Sequence, residues 1–294
     1  MIKRLSLLLS LTSSLVMYVP ASSSAGGKDS VFIEGSLLYN LELFEVYCPY
    51  ELLACDDYLY LFDSDRSCYK LDKQSREISA VFTLSEYSRT PVFIDEEKVY
   101  ALITEPPVVL HYTLKSGRSH QTRLPKDCAY KGFTLYDRDL FLVADDSEYT
   151  YRLINKEGEV VRNGCLRTEI NDDTVSCMEY DAANDVLAIV SQNSIDIVET
   201  GSALLKTRLA LEHCLDASIC ENCIYALCPG SPENPDDQPN QSCIYVFDLE
   251  GNALKTYILD MTIRRFCITK NEGVLYGLTL EEELPVVKFK LKLK

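Results

Sequence analysis

The fold is decided by one stretch, Ile244-Tyr245-Val246-Phe247-Asp248-Leu249-Glu250-Gly251-Asn252-Ala253-Leu254-Lys255-Thr256-Tyr257-Ile258-Leu259-Asp260. Bulky apolar side chains alternate with smaller or polar ones on both sides of Glu250-Gly251-Asn252, which has the composition of a turn. An alternation with a period of two is typical of a strand in a sheet. The stretch therefore predicts a β-hairpin, with strands at 244–249 and 253–259.

Weaker copies of this unit recur along the chain. Six short apolar segments resemble one another, at 58–62, 99–103, 140–143, 186–190, 224–227 and 275–278. Their equivalent residues follow one another at intervals of 37 to 51 positions: Tyr60, Tyr100, Phe141, Ala188, Tyr225 and Tyr276. A polar turn precedes most segments and an alternating strand follows most of them. Six units of this length predict an all-β fold, a six-bladed β-propeller of four-stranded blades.

The last of these units has only three strands before the chain ends. A fourth is available at about 37–46, ahead of the first unit, and we expect it to pair with 286–291 and close the ring. Closure removes exposed sheet edges, which otherwise promote aggregation. The sequence thus predicts one propeller domain over 37–294, whose inner strands start near Leu52, Pro91, Gly132, Val175, Leu215 and Arg264.

The first 25 residues have the pattern of an export signal. Lys3 and Arg4 precede an apolar run over 5–19, and small residues then permit cleavage after Ala21 or Ala25. A bilayer-spanning helix needs about 20 apolar residues, so the run predicts a cleaved signal peptide at 1–25 and no membrane anchor after cleavage. We interpret 26–36 as a flexible leader. The expected product is an exported monomer, periplasmic, extracellular or on the cell surface.

Charge restricts the classes of partner. The formal net charge is −16 at pH 7, and removal of a signal peptide that contains Lys3 and Arg4 makes the chain still more acidic. Nucleic-acid binding requires clusters of Lys and Arg that neutralise phosphates. The composition therefore excludes nucleic acid as an expected partner and disfavours anionic membrane surfaces.

The C-terminal third resembles a known family. The resemblance lies in the segments 224–227, 245–251, 257–260, 266–269 and 275–278, with a closing Lys288-Phe289-Lys290-Leu291. A strand followed by Val-Phe-Asp-x-x-Gly and then by Leu-Tyr-Gly is similar to the closing blades of the TolB-like six-bladed β-propeller family of Bacteroidales. That resemblance implies an exported, mostly uncharacterised propeller and little chemistry. The high cysteine content departs from the family pattern.

Acidic residues dominate the loops expected on one face of the propeller. Loops between second and third strands, and those between successive blades, open on the same face, and loops on a rigid scaffold often carry binding sites. The expected binding residues there are Asp63, Asp65, Glu105, Asp145, Asp146, Glu148, Asp172, Asp173, Asp236 and Asp237. One interpretation is that these loops form a negatively charged surface at one end of the channel, which attracts a basic protein patch or a cation. The alternative is a chain that is acidic in every loop.

The sequence leaves the binding of Ca²⁺ undecided, because no acidic cluster has a recognisable spacing of Ca²⁺ ligands. Ca²⁺ takes six or more oxygen ligands, and neither 145–148 nor 171–174 has the spacing of an EF-hand loop. The three histidines form no zinc-protease or Ser-His-Asp pattern, so packing or surface roles are expected for them. The sequence predicts no obligatory cofactor, and it identifies no metal site.

Twelve cysteines form an even set, which permits disulfides in an exported protein. Cys228 and Cys243 bracket the Pro-rich loop at 229–242 and are the candidate disulfide. Cys220-x-x-Cys223 flanks a two-residue turn, and a zinc site there would lack a second pair of ligands. The alternative is that several cysteines fill core sites as small apolar groups.

These observations favour a non-catalytic binding module that presents an acidic loop face to a protein or glycan partner. The alternative is a hydrolase or lyase that acts through a divalent cation at the central channel. No linear motif marks catalytic residues for that alternative. The 229–242 loop, rather than the 244–260 hairpin, is the expected place for function.

Overall fold

The computed structural model describes residues 18–20, 30–39, 41, 46, 48–55, 57–83, 92–95, 97–127, 129–136, 140–145, 150–165, 175–202, 204–230, 241–269, 273–279 and 286–291. All regular secondary structure in these ranges is β. Within them, no helix is long and apolar enough to cross a membrane.

The strands follow one another closely along the chain. In chain order they are β1 (Tyr18–Pro20), β2 (Ser30–Ile33), β3 (Ser36–Tyr39), β4 (Pro49–Cys55), β5 (Tyr58–Asp63), β6 (Ser67–Asp72), β7 (Ile78–Thr83), β8 (Val92–Ile94), β9 (Lys98–Thr104), β10 (Pro107–Thr113), β11 (Arg118–Arg123), β12 (Tyr130–Tyr136), β13 (Leu140–Asp145), β14 (Thr150–Asn155), β15 (Val160–Cys165), β16 (Val175–Asp181), β17 (Val186–Ser191), β18 (Ser194–Glu199), β19 (Leu204–Ala210), β20 (Asp216–Cys220), β21 (Cys223–Pro229), β22 (Ser242–Asp248), β23 (Ala253–Leu259), β24 (Ile263–Thr269), β25 (Val274–Thr279) and β26 (Val286–Lys290).

The described strands form six sheets. Sheet 1 contains β4–β7, sheet 2 contains β8–β11, and sheet 3 contains β12–β15. Sheet 4 is β16–β19 with β1 at its edge, sheet 5 is β20–β23 with β2 at its edge, and sheet 6 is β24–β26 with β3. Within each sheet, strands that are consecutive in the chain pair antiparallel, as in a β-meander. The all-β, propeller-like fold expected from the repeats is confirmed.

The first strands of the six sheets lie next to one another in a cycle. Contacts run from β4 to β8, β12, β16, β20 and β24, and from β24 back to β4. Six clusters of buried apolar side chains fill the spaces between successive sheets, one for each pair of neighbours. The core is therefore divided among the interfaces between sheets, because each sheet buries apolar residues on both faces.

The 244–260 stretch forms the predicted hairpin. β22 and β23 pair antiparallel, and Phe247 lies opposite Ala253 across the turn. Gly251 has φ +90, in the left-handed region that glycine adopts without steric cost. The Asp248 carboxylate accepts hydrogen bonds from the backbone N–H groups of Glu250 (3.1 Å) and Asn252 (2.7 Å). The turn residues and the alternation within the strands thus favour the same hairpin.

The N-terminal segment reaches sheet 6. β3 pairs antiparallel with β26, with Tyr39 opposite Val286 and Leu37 opposite Val287. Tyr39 is buried in the cluster between sheets 6 and 1, and its hydroxyl donates to the carbonyl of Asp72 in sheet 1. The sequence placed the closing strand at about 37–46; the described strand is Ser36–Tyr39, and positions 40, 42–45 and 47 lie outside the described residues.

Part of the segment interpreted as a flexible leader is a strand. Residues Ser30–Ile33, inside 26–36, form β2 and pair in parallel with β23. Ile33 is buried in the cluster between sheets 5 and 6, so burial of this side chain explains the ordered edge strand. Tyr18–Pro20, inside the predicted signal peptide 1–25, pairs in parallel with β19. The signal peptide and its cleavage site stay predictions.

Candidate functional site

A β-bulge recurs near the start of four first strands. The register of each strand skips its second residue: Tyr50 in β4, Lys131 in β12, Ser176 in β16 and Arg264 in β24. A bulge bends a strand and re-aims the side chains beside it, and bulges are common next to functional sites. The bulges mark one end of the ring of first strands as the place to look for a site.

In the described part of the chain, four polar side chains occupy the same position at this end of the ring, and we call them the ring layer: Glu51, Cys177, Asp216 and Arg265. Their cross-strand partners are equivalent positions of the second strands, namely Phe62, Val190, Leu227 and Leu278. Each partner lies two residues beyond an aligned position of the sequence repeat. The ring layer therefore combines a carboxylate, a thiol, a second carboxylate and a guanidinium from sheets 1, 4, 5 and 6.

Asp216 connects three sheets. Its carboxylate accepts hydrogen bonds from the backbone N–H of Ala217 (3.0 Å) in its own strand and from the N–H of Phe266 (3.2 Å) in sheet 6. The Cys177 thiol of sheet 4 donates to the same carboxylate (Sγ to Oδ1, 3.5 Å). Asp216 is only 7% exposed, so these donors replace the water that burial removes.

Arg265 and Glu51 form a looser pair between sheets 6 and 1. Nε of Arg265 lies 3.6 Å from Oε2 of Glu51, and the two side chains keep 26% and 23% of their surface exposed. Nη1 of Arg265 donates to the carbonyl of Leu215 (2.7 Å). Oε1 of Glu51 accepts from the N–H of Leu52 (3.1 Å). Backbone hydrogen bonds thus hold both charged groups in place and leave part of each side chain open to solvent.

Burial raises the pKa of the three acidic members of the ring layer: Glu51, Asp216 and Cys177. It raises the pKa of Glu51 to about 7, and the neighbouring Arg265 opposes that shift. It also raises the pKa of Asp216, against the opposing effects of Arg265 and of the hydrogen bonds from Phe266 and Cys177. The pKa of the Cys177 thiol is raised well above its usual range by burial and then by Asp216. Cys177 is therefore a neutral hydrogen-bond donor rather than a thiolate nucleophile.

Three of the predicted acidic binding residues have described side chains: Asp63 ends strand β5, and Asp65 and Glu105 lie in turns. Asp63 is buried, and its carboxylate accepts from the N–H of Cys48 (3.1 and 3.3 Å), just ahead of β4. Asp65 accepts from the N–H of Ser67 (2.7 Å) within the β5–β6 turn. Glu105 is exposed in the β9–β10 turn. Asp63 thus ties the β5–β6 turn to the start of a first strand, at the same end as the ring layer.

No side chain is described for the other predicted acidic residues. Asp145 ends strand β13, and nothing is described of its side chain; Asp146, Glu148, Asp172, Asp173, Asp236 and Asp237 lie outside the described residues, as does most of the 229–242 loop. Within the described part of the chain, no group of three or more His, Cys, Asp or Glu side chains is arranged to hold a metal ion. The acidic binding face stays a prediction.

The candidate disulfide pair lies face to face. Cys228 and Cys243 are direct cross-strand partners of β21 and β22, and both are thiols in this structure. Cys228 also interacts with the thiol of Cys214, whose pKa that contact raises, and both belong to the cluster between sheets 4 and 5. Opposed positions in a sheet have the Cα separation that a disulfide needs. The Cys228–Cys243 bridge stays a prediction.

Cys220 and Cys223 face each other across the predicted two-residue turn. The turn residues Glu221 and Asn222 have φ values of 52 and 63, as expected of a type I′ hairpin turn. Cys220 is buried in the cluster between sheets 5 and 6, and Cys223 packs against that cluster. This arrangement supports an apolar packing role for the two cysteines.

His111 and His120 pack against each other on one hairpin, as cross-strand partners of β10 and β11. Their ring centroids are 4.1 Å apart, and His111 also contacts the Tyr100 ring edge-on. Nε2 of His111 lies 2.9 Å from the hydroxyl of Thr122. Burial, followed by the charge of His120, lowers the pKa of His111 to about 4. The packing role expected for these histidines agrees with this environment.

The lowered pKa of His111 predicts a loss of stability in acid. Because the unfolded state binds this proton near pH 6.5 and the folded state only near pH 4, unfolding becomes more favourable as the pH falls through that window. We expect His111 to contribute about 2 kcal/mol to that loss. Urea titrations at pH 7 and pH 4.5 measure it. His111→Gln should show a smaller difference between the two pH values, whereas the exposed His213→Gln should retain the wild-type difference.

Comparisons with known proteins agree with the architecture. A family model described as TolB-like 6-blade propeller-like matches residues 213–271, which contain β20 to β24. No curated protein matches the sequence. The crystal structure of the computationally designed Ika8 protein, in crystal packing No. 1 in P63, is similar over 83% of this chain and 71% of that chain, with a TM-score of 0.50 and 9% identity. At that identity the likeness concerns the fold alone. The partial family match supports a TolB-like, propeller-like chain.

Proposed function

We propose that this protein is an exported six-bladed propeller that binds a protein or glycan partner and has no catalytic activity of its own. In this proposal, β3 closes the ring, and the partner contacts the face at which the first strands begin. The observation that carries the proposal is the ring layer. It places charged groups from several sheets at one end of the ring, held by backbone hydrogen bonds and, at Glu51 and Arg265, open to solvent.

Three further features support this proposal. The N-terminal pattern of Lys3, Arg4 and the apolar run at 5–19 indicates export. The hydrogen bond from Cys48 to Asp63 brings an acidic turn to the same end as the ring layer. The raised pKa of Cys177 disfavours a thiolate nucleophile at this site. Rigid strands that carry turns at one end are a common basis for binding surfaces.

The test is an array of immobilised glycans and basic peptides, probed with the exported chain at physiological salt. We expect saturable binding of at least one probe that EDTA does not weaken, and no cleavage of that probe by mass spectrometry. Glu105→Gln, in the β9–β10 turn, should weaken binding of a basic peptide. The matched change Glu157→Gln lies in the β14–β15 turn at the opposite end of a sheet and should not. Cleavage that requires a divalent cation would instead establish the hydrolase or lyase alternative.

A further inference from the structure

We propose that Arg265 and Glu51 form a subsite for a neutral sugar ring, with Arg265 donating to one hydroxyl and Glu51 accepting from a neighbouring hydroxyl. The inference rests on the proposed function, since it specifies the partner's chemistry at the same end of the ring. It does not require the acidic loop face, and the two can therefore be tested separately.

Arg265 and Glu51 both have hydrogen-bonding capacity that the described protein groups do not use. A guanidinium carries five N–H donors. In the described part of the chain, Arg265 donates only from Nη1, to the Leu215 carbonyl at 2.7 Å, while its Nε is too far from Glu51 at 3.6 Å for a hydrogen bond. Oε1 of Glu51 accepts from Leu52, and Oε2 accepts no hydrogen bond from any described residue. Unused N–H donors of Arg265 and an unused acceptor, Oε2 of Glu51, thus lie side by side.

The pair of Arg265 and Glu51 is both accessible to a ligand and held in position. About a quarter of each side chain is exposed, so a small ligand can reach the two groups. Each side chain is also tied to a backbone group: Arg265 to the carbonyl of Leu215, just ahead of β20, and Glu51 to the N–H of Leu52 in β4. A site whose side chains are already held loses less conformational entropy when a ligand binds.

The neighbouring charges at this pair disfavour the binding of ions. An anion that approaches Arg265 also meets Glu51 and the buried Asp216, whose charges act on the guanidinium. A cation that approaches Glu51 meets Arg265 directly. Ca²⁺ would need six or more oxygen ligands, far more than this pair supplies. A hydroxyl both donates and accepts, so adjacent hydroxyls of a neutral sugar satisfy a guanidinium and a carboxylate together.

The experiment is calorimetric titration of the full exported chain with methyl glycosides of neutral hexoses, with galacturonic acid and with galactosamine. We expect a neutral hexose to bind with a dissociation constant in the millimolar range, which is about −4 kcal/mol. The two charged sugars should bind at least tenfold more weakly. A charged sugar that binds more tightly than every neutral hexose would overturn the inference.

Three variants locate the subsite. Arg265→Lys keeps the charge but loses the planar set of donors, and should weaken binding of the neutral hexose about tenfold. Glu51→Gln leaves a single amide oxygen in place of the carboxyl group and should weaken binding of the neutral hexose several-fold. Arg208→Lys is the matched control, because Arg208 pairs with Asp196 at 2.7 Å in sheet 4 and should leave binding unchanged. Thermal unfolding of each variant checks that it is folded.

The remaining outcomes separate the subsite from the proposed function. Equal hexose binding by the wild type, Arg265→Lys and Glu51→Gln would overturn the subsite. So would the absence of binding by any neutral hexose. Array binding that depends on Glu105 but not on Arg265 would retain the proposed function and reject this subsite. Weaker hexose binding by both Arg265→Lys and Glu51→Gln, with Arg208→Lys unaffected, supports the subsite even if no basic peptide binds.

Discussion

Replacing Asp216 with alanine is expected to lower the free energy of unfolding by about 3 kcal/mol. The change leaves the N–H groups of Ala217 and Phe266 and the Cys177 thiol without the carboxylate that accepts from all three. Asp216 is 7% exposed, so water cannot freely replace the lost acceptor. The effect is large because one side chain serves donors from three sheets. Urea denaturation at pH 7, followed by circular dichroism, measures it.

Two companion variants decide whether the loss comes from these hydrogen bonds. Asp216→Asn keeps one oxygen acceptor and is expected to cost about 1 kcal/mol. Asp127→Ala removes a carboxylate that pairs with Arg152 at 2.8 Å but is 67% exposed, so it should cost clearly less than Asp216→Ala. If Asp216→Ala costs no more than Asp127→Ala, Asp216 does not connect the sheets in the way described.

The second large effect is expected at the N-terminal strand. Tyr39→Ala should lower the free energy of unfolding by about 3 to 4 kcal/mol, because it opens a cavity in the cluster between sheets 6 and 1. Tyr39 is 3% exposed, and its hydroxyl bonds to the carbonyl of Asp72 on the neighbouring sheet. The same urea titration measures the change. A substantial loss would show that a residue ahead of sheet 1 helps to join the last sheet to the first.

Leu37→Ala is the matched control for Tyr39→Ala. Leu37 lies in the same strand and pairs with Val287, but it is 56% exposed. Its replacement should change the free energy of unfolding by less than about 0.5 kcal/mol. Equal costs at Leu37 and Tyr39 would contradict the pairing of β3 with the rest of the ring.

Removal of residues 36–46 tests the same pairing through solubility, because it re-exposes the edge of β26.

The local residue pattern predicted strands and turns correctly wherever neighbours in the sequence are also neighbours in the sheet. The 244–260 hairpin and the Cys220–Cys223 turn both form as predicted, because a two- or three-residue turn between alternating segments leaves few other pairings. The predicted starts of the six inner strands lie within three residues of the observed ones. Element boundaries follow local turn chemistry, which a sequence displays directly.

The N-terminal segment was harder to predict for a physical reason. Short segments such as Ser30–Ile33 carry little periodicity, and their strand conformation depends on an edge more than 200 residues away, at β23. The glycines and polar residues of the 26–36 segment suggested flexibility, whereas burial of Ile33 against sheets 5 and 6 orders the strand within it. A strand added in parallel to the outer edge of a blade has no signature in its own few residues.

Alternation and turn residues act over a few neighbouring positions, so the amino-acid pattern predicts the class of fold and the position of its hairpins. The ring layer, by contrast, forms only when the sheets pack together. Glu51, Cys177, Asp216 and Arg265 are dozens of residues apart, and each looks like an isolated polar residue at the start of a strand. They meet because the ring brings equivalent positions of different sheets together and because bulges at Tyr50, Ser176 and Arg264 re-aim three of them.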